Sequence, residues 1–502
     1  MRDVRFVALA VAAATVGGCG WFGGEATSAP IESDQAERTI ELVQLEDLDD
    51  QVTVVEGDVY EQALAASAAL WRSSPLVVLA PMSDAEALAA AGDAAVSLSA
   101  PLLLAQPVGD AEPVADPALT GELERLGSTT VLSMGESPVS LPDDITVVSD
   151  PADLEAQPLE RRSDAVVLAA DTPDTVAAQA TARAAGAVVV VMDADDPRDS
   201  VPARDALSAN PDAPVLALGP QLAPSSRLEP LVRVAATGVE LPGGGQTMFP
   251  GRRLVALYGH PQTSALGVLG EQGPTESVTR ARELAATYEP YSDEPVVPAF
   301  EVIATVASGG AGPDGDYSNE TPIEVIRPYV DAAADAGVYV VIDLQPGRSD
   351  FLTQAQQYRE LLLEPHVGLA LDPEWRLEPD QVHLRQVGSV DAAEIETVAD
   401  WLATLVRENA LPQKLLVLHQ FQQRMIRDRP ALDAQRDELA MLVQMDGNGT
   451  PGDKLATWDA LKQDAPDGLR FGWKNFYDED TPTMSPESTM SNTPTPWWVS
   501  YQ

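Results

Sequence analysis

The chain has 502 residues, a formal net charge of −47 at neutral pH and a single cysteine, Cys19. Binding to nucleic-acid phosphates requires a basic face, so this charge excludes nucleic acid as an expected partner. A single cysteine excludes internal disulfides and zinc sites built from several cysteines, while the length allows two or three domains.

Residues 1–18 have the pattern of a secretory signal peptide. Two arginines lie within Met1–Arg5, an apolar run extends over Phe6–Val16, and two glycines precede Cys19. The apolar run is too short to cross a bilayer as a stable helix. This pattern resembles the signal of bacterial lipoproteins, and the resemblance implies that Cys19 is acylated and anchors an exported protein to the lipid bilayer. The alternative is an ordinary signal peptide, in which Cys19 is present by chance.

Residues 19–45 are rich in Gly, Ser, Glu and Asp and lack a hydrophobic period, which predicts a flexible linker. Residues 46–237 alternate short apolar runs with Ala-rich stretches such as Asp84–Ala91 and Pro173–Ala185. Short, continuous apolar runs are typical of strands buried on both faces, so this alternation predicts a parallel sheet covered by helices. The predicted strands are Val52–Val55, Leu76–Leu79, Pro101–Leu104, Thr130–Ser133, Ile145–Val148, Ala165–Leu168, Ala187–Met192 and Val215–Leu218.

The strand and helix pattern of this region occurs twice, which predicts a repeated βα domain. Pro75–Ala80 followed by Pro101–Leu104 is echoed by Asp164–Ala169 followed by Ala187–Val190. Residues 52–140 resemble the type 2 cell wall-binding repeat, because they carry a strand, an Asp-Ala helix start, an Ala-Pro-Leu-Leu-Leu segment and a strand ending in glycine, in that order. The resemblance implies a domain that binds cell-envelope polysaccharide. A helix-covered scaffold without a ligand is the alternative.

Residues 238–250 are rich in glycine, which predicts a linker between domains. Residues 251–502 then contain eight strand candidates separated by amphipathic stretches. This count and size are typical of a (β/α)8 barrel, so the predicted fold class is α/β, with a repeated parallel βα domain followed by a TIM-type barrel lacking the last helix. An open α/β sheet is the alternative. The predicted barrel strands are Leu254–Tyr258, Ala299–Val306, Val338–Leu344, Val367–Leu371, Leu415–Gln420, Met441–Gln444, Leu469–Trp473 and Trp497–Tyr501, and the predicted helices are Thr275–Tyr288, Pro322–Ala336, Phe351–Leu363, Asp391–Asn409, Pro430–Leu439 and Lys454–Gln463.

Carboxylates and a histidine follow or end several predicted barrel strands. TIM barrels carry their chemistry at the carboxyl ends of their strands, and residues two apart share a face of a strand. The candidate catalytic residues are Asp343, Asp372, Glu374, His419 and Asp446. Paired carboxyl groups are required for glycoside hydrolysis, so Asp372, Glu374 and Asp446 are predicted acid and base candidates, with Asp343 and His419 orienting them. The alternative is a structural role for each carboxylate, as a helix cap or an acceptor of backbone hydrogen bonds.

Aromatic and polar residues near the same strand ends are candidates for substrate binding. Trp375 and Trp473 offer flat faces to sugar rings, and Lys474 offers a charge to an anionic substituent. The full predicted set is Trp375, Gln420, Gln444, Trp473, Lys474 and Tyr477. The aspartates around His419 are a possible metal site, but no His-x-His or His-Glu-x-x-His motif is present. We therefore expect no metal and no cofactor.

Three motifs of the second half carry a further resemblance. Leu371–Trp375, His419–Phe421 and Gly472–Asp478 make residues 251–502 similar to uncharacterised actinobacterial lipoproteins, which bring no established activity, and the predicted architecture is that of glycosidase barrels. The sequence therefore predicts an exported, membrane-anchored lipoprotein that faces the cell wall and hydrolyses a cell-envelope glycan. The alternative is a non-catalytic lipoprotein that binds glycan or acts as a scaffold.

Overall fold

The computed structural model describes residues 43–48, 51–106, 115–135, 139–219, 221–222 and 224–502. The predicted signal peptide, Cys19 and most of the predicted linker over 19–45 lie outside these residues. The described chain is mixed α/β. None of its helices is both long enough and apolar enough to cross a membrane.

Residues 253–501 form a closed barrel of eight parallel strands, which confirms the predicted barrel and rules out the open sheet. The ring closes because the first strand pairs in parallel with both the second and the eighth. A short strand, Ser318–Glu320, is added antiparallel to the second barrel strand. In chain order the barrel strands are Arg253–Gly259, Val296–Ala307, Tyr339–Leu344, Val367–Leu371, Lys414–Gln420, Leu439–Met445, Arg470–Asn475 and Trp498–Tyr501.

Helices cover the barrel, and five of the six predicted helical stretches are helical. The helices of this half are Pro274–Ala286, Ile323–Ala336, Phe351–Gln357, Arg359–Leu362, Ala392–Glu408, Pro451–Leu461 and Pro486–Met490. The prediction of a helix over Pro430–Leu439 is wrong, because a single 3-10 turn, Arg429–Ala431, is followed by irregular chain up to the sixth strand. The guanidinium of Arg429 is buried and donates to Gln420 Oε1 and to the carbonyls of Leu461 and Gln463, which holds this segment in its non-helical path.

The barrel interior is apolar at one end and polar at the other. Successive side chains of a strand alternate between its two faces, so every second residue points inward. The lower interior is filled by the buried apolar side chains of Leu254, Ala256, Val297, Ala299, Tyr339, Val341, Ala370, Leu415, Val417, Leu442 and Trp498. The next inward positions toward the carboxyl ends hold Tyr258, Glu301, Asp343, Asp372, His419, Gln444, Lys474 and Ser500, all buried. The packed lower layers thus form the floor of a polar upper layer.

The first half contains two parallel sheets of four strands each, where the sequence predicted one sheet. One sheet has the order Leu102–Ala105, Leu76–Pro81, Thr130–Ser133 and Thr146–Val148, and the other has the order Val188–Met192, Val166–Ala170, Val215–Leu218 and Val52–Val55. The helices are Val59–Leu70, Ala85–Leu98, Pro117–Leu126, Val176–Ala184, Val201–Ala209 and Ser225–Ala236. The eight predicted strands are all present, while the internal repeat and its family stay predictions.

Residues 238–250, predicted as a linker, are packed against the barrel. Leu241, Met248 and Phe249 are buried in the same cluster as the lower interior of the barrel. The buried guanidinium of Arg252 donates to the carbonyl of Thr247 at 3.0 Å and to that of Met248 at 3.2 Å. This segment therefore closes the amino-terminal end of the barrel, and its role as a domain boundary stays a prediction.

Candidate active site

A cavity of about 520 Å³ lies at the carboxyl ends of the barrel strands. Asp372, Glu374 and Asp446, three of the five predicted catalytic residues, line it. The other two, Asp343 and His419, are fully buried in the polar layer beneath it. The structure therefore brings all five together, as the strand-end pattern predicted, although their catalytic roles stay predictions.

His419 is held between two carboxylates that reach it from opposite sides. Its Nε2 lies 2.7 Å from Glu301 Oε1, and its Nδ1 lies 2.8 Å from Asp446 Oδ2. Both distances suit N–H donors on the ring, since an ionised carboxylate only accepts hydrogen bonds. Burial acts to lower the pKa of His419, but Asp343, Glu301 and Asp446 raise that pKa well above its ordinary value. His419 is therefore a fixed buried cation.

Glu301 belongs to the site but was not among the predicted residues. It lies inside the second barrel strand, is fully buried, and pairs with His419. Gln444 Nε2 lies 3.5 Å from its Oε2 and donates to Ser500 Oγ at 2.7 Å. The available signal was a lone glutamate within the apolar run Ala299–Val306, since a charged residue inside a buried strand needs a partner in the barrel.

Asp446 is an ionised carboxylate. Its second oxygen, Oδ1, lies 3.0 Å from Lys474 Nζ, and that ammonium lies 3.6 Å from the ring centroid of Tyr258. Burial acts to raise the pKa of Asp446, but Lys474 and His419 lower it below its ordinary value. Burial likewise acts to lower the pKa of Lys474, and Asp446 is the first of the carboxylates that raise it. The Lys474 charge is therefore already matched within the protein.

Unlike Asp446, Asp372 and Glu374 have raised pKa values and favour the protonated form. Burial, followed by the charge of Glu374, raises the pKa of Asp372 well above its ordinary value. Burial, followed by the charge of Asp446, raises the pKa of Glu374 to about 7. Glu374 lies in a 3-10 turn, Pro373–Trp375, that Asp372 caps by accepting its amide at 3.2 Å. Among the described residues, the Glu374 carboxyl group has no hydrogen-bond or ion-pair partner.

Asp343 lies in the layer below the cavity. It is fully buried and accepts a hydrogen bond from the Tyr258 hydroxyl at 3.0 Å. Burial raises the pKa of Asp343 to about 6, although the charge of His419 opposes the shift. This position allows Asp343 to fix Tyr258, whose ring in turn lies against Lys474, but gives it no contact with the cavity.

Asp343, Asp372 and His419 offer ligand atoms that lie within 4.8 Å of one another, close enough for a metal ion. A histidine binds a metal through a deprotonated ring nitrogen. Both nitrogens of His419 lie within hydrogen-bond distance of carboxylates, and nearby carboxylates raise the pKa of the ring well above its ordinary value. A metal bound through His419 Nδ1 would have to replace the hydrogen bond between that nitrogen and Asp446.

The predicted substrate-binding residues divide into two groups. Trp375 and Lys474 line the cavity, and Gln444 lies beneath it. Trp473, Gln420 and Tyr477 are not among the residues that line the cavity, and their predicted roles stay predictions. The rings of Phe421 and Phe476 line the cavity instead, each one residue from a position that the sequence favoured.

The positions of these three residues have physical reasons. Trp473 is fully buried on the outer face of the barrel, with its ring centroid 5.6 Å from that of Trp458, because its neighbour Lys474 points inward. Gln420 points away from the interior because its neighbour His419 points inward. Its side-chain oxygen accepts a hydrogen bond from Arg429 at 2.8 Å. Tyr477 is 45% exposed and packs on Tyr501 at 5.2 Å between ring centroids.

No protein-family model matches the chain, and no curated protein matches it. The class of this protein is therefore described by its fold and its cavity alone. It is a closed parallel β-barrel protein with a cavity at the carboxyl ends of its strands, lined by carboxyl groups of opposite pKa tendency.

Proposed function

We propose that the barrel is a glycoside hydrolase that acts on a cell-envelope glycan. The observation that carries the proposal is the pair of carboxyl groups in one cavity whose pKa values move apart, with Glu374 raised to about 7 and Asp446 lowered. Cleavage of a glycosidic bond uses one protonated and one ionised carboxyl group on either side of the bond. Two titratable groups pushed apart in this way are the expected acid and base assignments.

In this mechanism Glu374 is the general acid. Its proton passes to the glycosidic oxygen as the bond from that oxygen to the anomeric carbon breaks. Asp446 supplies the negative charge on the other side, either by attacking the anomeric carbon or by activating a water molecule. His419 and Lys474 keep Asp446 ionised and fixed in position, and the half-buried ring of Trp375 provides a face for a sugar.

The proposal extends to the location of the protein. The pattern around Cys19 supports export and an acyl anchor in the lipid bilayer. A chain with a net charge of −47 has no electrostatic attraction to anionic lipid, so the acyl group is the proposed membrane attachment. The resemblance of residues 52–140 supports a polysaccharide-binding role for the first half. On this proposal the cavity of the barrel faces cell-wall glycans.

The pH dependence of sugar release tests the hydrolase. The full chain is incubated with purified cell-envelope polysaccharides, and reducing ends are measured between pH 4 and pH 9. We expect activity to fall as the pH rises through about 7, because Glu374 loses the proton that it must donate. Glycan binding without release of reducing ends at any pH would reject the hydrolase and favour the glycan-binding alternative.

A further inference from the structure

The loop after the fourth barrel strand folds back over the turn that carries Glu374 and Trp375. Both of these side chains line the cavity. The amide of Gly388, at the end of the loop, donates to the carbonyl of Glu374 at 2.7 Å. A Cβ at Gly388 would lie within 2.6 Å of three carbonyl oxygens, those of Pro373, Glu374 and Arg376. Only glycine allows so close an approach, so the loop fixes the backbone of this turn.

His383, which lies in the same loop, packs against the ring of Trp375. The two ring centroids are 5.2 Å apart, and the ring planes are inclined by 64°. Aromatic pairs favour this edge-to-face arrangement, in which the positive edge of one ring meets the negative face of the other. Both side chains are half-buried. The His383 ring therefore restricts the orientation of a ring that lines the cavity.

His383 is itself held by Tyr317, in the loop that follows the second barrel strand. The His383 Nε2 lies 2.9 Å from the Tyr317 carbonyl, and a carbonyl oxygen only accepts hydrogen bonds, so Nε2 carries the proton. Burial lowers the pKa of His383, which favours the neutral ring. The His383 and Tyr317 ring centroids lie 6.3 Å apart, with the ring planes inclined by 74°. One hydrogen bond and one aromatic contact thus fix the position of His383.

Arg348, which follows the third barrel strand, connects these two loops. Its Cζ lies 4.4 Å from the Tyr317 ring centroid, which is a cation–π distance. Its Nη2 donates at 2.8 Å to the carbonyl of Gln381, in the loop that carries His383. Tyr317 has a φ of +65°, in the left-handed region, where surrounding contacts must hold a residue that has a side chain. The three loops therefore form one connected wall, with the ring of Trp375 on its cavity side.

We propose that His383 is a positioning residue, which holds the Trp375 ring at the orientation in which a sugar ring packs on it. The sugar-binding role of Trp375 rests on the proposed function, which identifies the ligand as a glycan. His383 is not among the residues that line the cavity. It therefore acts on the affinity for the glycan through Trp375 and takes no part in the proton transfer from Glu374.

Steady-state kinetics of the full chain test this inference on the purified cell-envelope polysaccharide that the wild type cleaves. We expect H383A to raise KM by about two- to tenfold, the effect of one aromatic pair, with kcat within about twofold of the wild-type value. H383F keeps an aromatic ring beside Trp375 and is expected to restore most of the affinity. An unchanged KM in H383A, a kcat that falls as much as KM rises, or an H383F variant as weak as H383A would overturn this inference.

L384A is the matched control, because Leu384 is the next residue of the same loop and is 88% exposed. It is expected to keep the wild-type KM and kcat. An increase in KM as large as that of H383A would overturn the specific role of His383, since it would show that any change in the loop has the same effect.

Fluorine relaxation of the ligand-free chain, labelled with 5-fluorotryptophan, measures the position of the ring directly. W375F identifies the Trp375 resonance. We expect the Trp375 ring to be more mobile in H383A than in the wild type, H383F and L384A. Equal mobility of the ring in H383A and the wild type would overturn this inference.

The failure of this inference and the failure of the proposed function are distinguishable. A wild-type chain that cleaves no polysaccharide would reject the hydrolase alone, because fluorine relaxation and calorimetric binding of the same polysaccharides still test His383. Cleavage with an unchanged KM in H383A would support the hydrolase and overturn this inference.

Discussion

Asp446→Asn is expected to lower the rate of glycan hydrolysis by about 10²- to 10⁴-fold, the range for loss of a positioned acid–base group. The asparagine side chain has nearly the same shape and still offers an oxygen to Lys474. It lacks the negative charge that His419 and Lys474 hold in place, so it can neither attack the anomeric carbon nor activate water. Reducing ends are measured at several pH values with the polysaccharide that the wild type cleaves.

Asp459→Asn is the matched control for this variant. Asp459 lies on the exposed side of the helix Pro451–Leu461, where its side chain is 70% exposed and pairs with Lys462. The control variant is expected to retain the wild-type rate. An Asp446→Asn variant that is folded, as judged by circular dichroism, and cleaves glycan at more than a tenth of the wild-type rate would contradict the assignment.

His419→Gln is expected to lower the free energy of unfolding by about 3–5 kcal/mol, the cost of breaking a buried ion pair from one side. The substitution removes the cation between Glu301 and Asp446, and both carboxylates then stay buried with less compensation. Urea denaturation followed by tryptophan fluorescence measures the loss. His383→Gln is the control, because His383 is only partly buried and makes one hydrogen bond, to the Tyr317 carbonyl, so its loss is about 1 kcal/mol.

The stabilisation by His419 has a defined pH dependence. The pKa of His419 in the folded protein lies above the ordinary value of 6.5, so the folded state holds its proton more tightly than the unfolded state. The contribution is therefore fully present below about pH 6.5 and is lost as the pH rises through the folded pKa. The difference in stability between wild type and His419→Gln is expected to shrink as the pH rises. A difference that grew with pH would contradict a buried imidazolium.

The barrel could be predicted from the sequence because its signals are local. Each barrel strand contains a short run rich in apolar residues, such as Val367–Leu371, and amphipathic stretches of helical length separate most of the runs. The helix predicted at Pro430–Leu439 failed because its path depends on Arg429, which bonds to carbonyls more than 30 positions further along the chain. Contacts over such a separation leave no periodicity in the segment itself.

The candidate site was predictable at strand ends and less so inside strands. Asp343, Asp372 and Asp446 end or follow apolar strands at inward positions, so alternation alone places them correctly. The same alternation predicts that Trp473 and Gln420 point out of the barrel interior, since Lys474 and His419 next to them point inward. For Trp473, aromatic character was given more weight than the face of the strand on which it lies.

Pairings across the barrel were beyond the reach of sequence patterns. Glu301 and His419 come from the second and fifth strands and lie 118 positions apart, yet their side chains meet at 2.7 Å. Whether two inward residues meet depends on the stagger of all the strands between them, which is a property of the closed ring. The glutamate was visible in the sequence, but its partner was not.

The most direct test of the hydrolase is the action of Glu374→Gln on a dinitrophenyl glycoside of the sugar that the wild type releases. That leaving group departs without protonation, so a missing general acid matters little for it. We expect Glu374→Gln to cleave the aryl glycoside at nearly the wild-type rate and the natural glycan about 10²- to 10⁴-fold more slowly. Glu378→Gln, an exposed neighbour in the same loop, is expected to match the wild type on both substrates. Equal losses on the two substrates for Glu374→Gln would contradict its role as the proton donor.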